Sequence, residues 1–157
     1  MFMTRVVQSA AVAGLLIGAA CGDATGPKFL TLPASFRTAL CVRGNVTRHQ
    51  SVNGSLANTD CDGGSQYYET YQVKVGADGS PDILLTSAVF DTYLDLYTVD
   101  SVVGDQVYGS PVSSDDDSGG GTNSLISGVT LLASQNYLLT VEGLDYTQTG
   151  AYTLSIK

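Results

Sequence analysis

Val89-Phe90-Asp91-Thr92-Tyr93-Leu94-Asp95-Leu96-Tyr97-Thr98-Val99 leads, after a short connection, into Ser113-Ser114-Asp115-Asp116-Asp117-Ser118-Gly119-Gly120-Gly121-Thr122-Asn123-Ser124-Leu125-Ile126. The first half alternates with the period of a half-buried strand. Leu94, Leu96 and Thr98 fall on one face, and Tyr93, Asp95 and Tyr97 on the other. The second half is an acidic, glycine-rich loop that runs into another apolar strand. A strand, a polar loop and a strand therefore occupy the centre of the chain.

Working outward, Gln50–Leu56 reads as a strand interrupted by Gly54, and 57–65 as a loop. Tyr67–Val75 is a strong strand, with Tyr67, Glu69, Tyr71, Val73 and Val75 on one face and Tyr68, Thr70, Gln72 and Lys74 on the other. Asp82–Ser87 follows a turn, and its consecutive apolar residues suggest burial on both sides. Weak strand character around Gln106–Tyr108, then Asn123–Leu131, Asn136–Glu142 and Ala151–Ile156, bring the total to about eight. Beyond residue 40 no long segment carries a 3.6-residue apolar period. Turns at short, fairly regular spacing point to an all-β fold, an antiparallel β-sandwich or a barrel, rather than βαβ units. Phe29–Val42 stays open between a short strand with a turn at Pro33 and a helical turn after it.

The 157 residues suffice for one domain with a real core. A formal charge of −8 argues against a nucleic-acid binder, because phosphate contacts need a basic face. The charge is uneven. Lys28, Arg37, Arg43, Arg48 and His49 cluster between residues 28 and 49, whereas Lys74 and Lys157 are the only later lysines or arginines. Residues 29–49 thus read as a basic segment that packs on an acidic body, or as an arm for an acidic partner.

The first twenty residues are an address. Arg5 precedes an apolar run from Val6 to Ala20 that ends in small residues and meets Cys21. A basic start, an apolar core and small residues make a secretory signal, with 1–20 as the signal peptide. The junction resembles the lipobox of bacterial lipoproteins, although Gly18 stands where leucine is usual. On that resemblance Cys21 carries lipid, residues 21–28 form the tether, and several acyl chains hold the protein in a membrane. Gly22 directly after the cysteine favours the outer membrane, facing the periplasm or the cell surface. With Cys21 lipidated, Cys41 and Cys61 remain as a pair, and an even pair in an exported chain reads as a disulfide.

The order of motifs resembles a known family. Phe90 to Tyr97, Asp115 to Gly119, Thr122 to Ile126, Asn136 to Val141 and Gly150 to Ile156 look like the bacterial pre-peptidase C-terminal domain. The likeness spans roughly residues 50–157, and Gln135-Asn136 replaces the family's usual glycine before the tyrosine. It implies a jelly-roll β-sandwich, non-catalytic and commonly appended to exported hydrolases.

Three groups of residues could carry chemistry. Asp115 and Asp117 with Asn123 offer hard oxygens to calcium, in a loop whose glycines let carbonyls turn inward. The pattern is not an EF-hand, since the terminal glutamate is missing and consecutive aspartates cannot all point one way. The competing interpretation is a solvated turn whose aspartates hydrogen-bond to the loop backbone. Tyr67, Tyr68 and Tyr71 form a candidate face for a protein or polysaccharide ligand. Asp91 and Asp95 invite comparison with paired glycosidase carboxylates, but a turn-capping role suits Asp91 better. His49 is the only histidine, and no G-x-S-x-G elbow accompanies it. No catalytic residue is therefore assigned. The sequence points to a non-catalytic cell-envelope lipoprotein with a binding or structural module. Behind it stands a calcium-stabilised accessory module for a separately encoded secreted hydrolase, and an enzyme in its own right comes third.

Overall fold

The computed structural model describes residues 29–32, 34–103 and 106–157. The stretches expected to be signal peptide and tether, with Cys21, lie outside the described residues. A short helix, α1 (Ala34–Ala39), precedes twelve strands: β1 (Val42–Thr47), β2 (Gln50–Leu56), β3 (Cys61–Asp62), β4 (Tyr67–Lys74), β5 (Ile83–Thr86), β6 (Thr92–Val99), β7 (Ser101–Val103), β8 (Gln106–Tyr108), β9 (Pro111–Asp115), β10 (Ser124–Ile126), β11 (Asn136–Gly143) and β12 (Gly150–Ile156).

Two sheets share one core. The larger runs β1-β4-β11-β6-β9, with β3 also paired to β4, and the smaller runs β10-β5-β12-β2. Taking β2, β4, β5, β6, β9, β10, β11 and β12 as strands one to eight, the sheets read two-seven-four-five and six-three-eight-one. That is the jelly-roll order, so the expected all-β sandwich is the observed fold. Leu94, Leu96, Leu139 and Val141 of the larger sheet meet Ile83, Leu85, Leu154 and Ile156 of the smaller one, all nearly inaccessible to solvent. Alternation at period two makes this possible, since every second residue of β6 faces the partner sheet.

Three features differ from the sequence expectation. Val42–Thr47, assigned above to the basic segment, is a strand that pairs in parallel with β4, so the sheet begins before residue 50. Its Gly and Asn hide the strand signal, and Val46 alone anchors it in the core. β9 was also unforeseen, because Pro111, Ser113, Ser114 and Asp115 have little strand propensity. It forms because β6 offers it a partner edge. Finally, β5 alternates between buried and partly buried residues instead of being covered on both faces.

The open Phe29–Val42 stretch resolves as a helical turn. Cys41 closes it with φ of 46°, a left-handed residue after a helix end, where its N–H donates to Thr38 O at 3.2 Å. The Cys41–Cys61 disulfide is present. The N-terminal segment rests on the outer face of the larger sheet through apolar contacts. Leu32 joins Val99 and Leu138, flanked by Leu30, Leu40, Val102 and Val107. Arg43 supplies the charged contact, pairing with Asp60 and, at 2.8 Å, with Glu69.

Candidate metal centre

Two connections cross between the sheets along the same side of the sandwich. One runs from β5 to β6 and contains Asp91, and the other runs from β9 to β10 and contains the acidic loop. The seam between them is tightly bonded. Thr92 and Ser124 are fully buried and hydrogen-bond to each other at 2.8 Å, and the Thr92 N–H and hydroxyl both donate to Thr122 O. The Asp91 backbone is held from the β11–β12 loop, its N–H donating to Gln148 Oε1 at 3.0 Å and its carbonyl accepting from Leu144 N.

The acidic loop spends two of its sequence-predicted ligands on its own backbone. One Asp115 oxygen, Oδ2, accepts from Ser118 N at 3.0 Å and from Leu125 N at 2.7 Å. Asn123 accepts from Ser87 N at 3.0 Å and donates to Gly120 O at 2.8 Å. Gly120 and Gly121 take φ of 94° and 68°, so the loop turns where a side chain would strain it. Asp115 is thus bonded to backbone amides of the loop and of β10, while Asn123 ties the loop to the β5–β6 connection.

Asp117 behaves differently. With Asp116 and Asp91 it forms a cluster in which one carboxylate oxygen of each lies within 4.8 Å of the others. Of the predicted set Asp115, Asp117 and Asn123, only Asp117 belongs to this convergence. Asp91 and Asp116 replace the other two. Asp91 Oδ1 and Asp116 Oδ1 are each shielded from solvent and meet no hydrogen-bond donor among the described residues. Desolvation pushes the Asp116 carboxyl up, and the charges of Asp117, Asp91 and Asp115 push it the same way. No cation offsets them, since the ion pairs among the described residues are those of Arg43. A shielded carboxylate oxygen without a donor is costly. Hard oxygens converging in this way suit calcium, which takes six to eight of them, so the donor set fits the ion.

Asp116 carried only a compositional signal, as the middle of three adjacent aspartates. Asp116 and Asp117 lie in a bend past the end of β9, where the alternation of an extended strand no longer sets which way a side chain points. Asp91 carried a weaker signal, its position just before the central strand. It does not face Asp95, which lies on the outer face of β6. His49 sits in the turn between β1 and β2 with φ of 65°, its N–H donating to Ile156 O at 2.6 Å.

The tyrosines do not share a face. Tyr71 is buried in the core and its hydroxyl lies 2.7 Å from that of Tyr152. Tyr67, on the same side of β4, packs edge-on against Tyr146 with ring centroids 5.0 Å apart. Only Tyr68 lies on the outer face. Tyr152 also donates to Glu69, which Arg43 binds from its other side. This polar chain joins the two sheets inside the core.

Among known proteins, no family profile and no curated sequence matches the chain. A solved structure, the pre-peptidase C-terminal domain of a collagenase from Bacillus anthracis, aligns with 17% identity. The alignment covers 74% of this chain and 96% of that one, with a TM-score of 0.49.

Proposed function

We propose that this chain is a non-catalytic lipoprotein module of the bacterial cell envelope whose jelly-roll body is stabilised by calcium. The observation that carries the calcium reading is the pair of shielded oxygens, without donors among the described residues, on Asp91 and Asp116, two aspartates that converge with Asp117. Asp91, Asp116 and Asp117 would hold the ion. The ion would neutralise their mutual repulsion and tie together the two connections that cross between the sheets.

The test is thermal unfolding in EDTA and then in excess calcium. Binding to the folded state alone must raise the melting temperature, by about 2.7 kcal/mol of stability at a hundredfold excess over Kd. The expected result is a clear rise with calcium that Asp116→Asn and Asp117→Asn abolish. Equal melting curves with and without millimolar calcium would remove the ion from the proposal.

The reading of an envelope address is supported by the apolar run into Cys21 and by the pairing of Cys41 with Cys61, after which Cys21 is the one cysteine of the sequence left over. Radiolabelled palmitate should enter the wild-type chain in a bacterial host, and the Cys21→Ser variant should stay unlabelled. Equal label in both, or none in either, would count against the anchor.

A further inference from the structure

The outer face of the larger sheet carries a second site of a different kind. Cross-strand register lays three rows of side chains across β4, β11 and β6: Tyr68–Glu142–Tyr93, Thr70–Thr140–Asp95 and Gln72–Leu138–Tyr97. A cleft of about 420 Å³ opens over these rows, walled by Leu40 on one side and by Val107 and Gly109 on another. A second hollow of about 310 Å³ adjoins it, lined by Tyr93 and Leu144, and shares Gln66, Asp95 and Glu142 with the first.

An outward sheet face normally offers its charges to water. Here Glu142 is only 8% exposed, yet its carboxylate lines both hollows. The Gln66 amide donates to its carboxylate at 2.5 Å. Asp95 lies one row along the sheet and lines the cleft together with Tyr97. Among the described residues neither acid has an ion-pair partner. Burial pushes both carboxyls up, and the Asp95 charge raises Glu142 further. The fold therefore keeps two desolvated carboxylates beside three tyrosines and an apolar wall, with no ion-pair partner among the described residues.

We propose that this cleft binds an arginine side chain presented by a partner polypeptide. A guanidinium is planar, always charged and weakly hydrated, so it loses less than an ammonium on entering a half-buried site. Its donors match carboxylates, and its face stacks on tyrosine. Asp95 and Glu142 would take its N–H groups, the tyrosines would flank its plane, and its methylene stem would lie along Leu138 and Val107. The proposal does not depend on the calcium reading, since none of the three clustered aspartates lines either hollow.

The probe is the capped tripeptide Ac-Gly-Arg-Gly-NH2, titrated into the full chain and followed by amide NMR shifts. Its comparators are the citrulline analogue, of the same shape but without charge, and maltohexaose. Saturable shifts confined to β4, β6 and β11 are expected for the arginine peptide. Affinity should fall about tenfold or more with citrulline, and likewise in Glu142→Gln and Asp95→Asn. The first variant still offers an acceptor to Gln66, and unchanged melting curves would establish that both variants fold. Asp117→Asn should bind the peptide as the wild type does. Equal binding of the citrulline peptide, preferential binding of the sugar, or no shift at about 10 mM peptide would each overturn the proposal.

Discussion

Gly54→Ala is expected to lower stability by about 3 kcal/mol or more, and the melting temperature by roughly 10 °C. Gly54 sits in β2 directly opposite Tyr152 of β12. A Cβ at this position would lie 2.2 Å from both Cζ and the hydroxyl oxygen of Tyr152. The ring has nowhere to withdraw, because its hydroxyl is bonded to both Tyr71 and Glu69. Moving it would orphan a buried hydroxyl and loosen the grip on a carboxylate that Arg43 also holds. Overpacking alone costs about 1–3 kcal/mol, and an unpaired buried polar group adds a similar amount. A double-mutant cycle separates this cause from a general intolerance of the strand. In a Tyr152→Leu background the alanine should cost under about 1 kcal/mol, since the ring is gone. A penalty of the same size in both backgrounds, measured by urea unfolding, would show that the close approach is not responsible.

Replacing Cys41 and Cys61 together by serine is the other change of comparable size. The bond closes a separation of 20 residues, for which the chain-entropy argument gives about 3 kcal/mol. The melting temperature should drop by about 10 °C. Part of the loss has a local origin. Cys41 holds φ of 46° at the end of α1, a conformation that costs a non-glycine residue and persists only when its surroundings impose it. Reducing the wild-type protein with dithiothreitol should reproduce the effect of the double serine variant. A drop below about 3 °C in both would show that the surrounding contacts already restrain the loop.

Residues that obey a simple period were legible in the sequence. β6, β11 and β12 show their inward faces as alternating apolar residues, because each buries one side against the other sheet. The pairing of Cys41 with Cys61 was legible once the lipobox resemblance set Cys21 aside and left an even pair. β1 and β9 were not legible, since their places are decided by the partner edges of β4 and β6 rather than by their own side chains. The seam was legible in composition but not in geometry. Three adjacent aspartates announced a polar loop, yet which of them turned inward depended on Ser118 N and Leu125 N, amides that claim Asp115. Asp91 joins Asp116 and Asp117 from a connection about twenty-five residues earlier, and only the jelly-roll crossing brings it there. The outer cleft was hidden for the same reason. Tyr68, Asp95 and Glu142 come from three strands, and no spacing along the chain places them in adjacent rows.

The disulfide has a mechanical consequence. Cys41 immediately precedes β1, the outermost strand of the larger sheet, and Cys61 begins β3, which pairs with β4. A pull applied through the residues before Cys41 would otherwise load β1 first. An edge strand can be stripped away one hydrogen bond at a time. The covalent bridge offers the force a second route, through β3 to β4, and the Arg43–Asp60 pair runs beside it. Tension on the N-terminal segment is thus shared between two strands before any edge contact breaks, and the sandwich is loaded as a block.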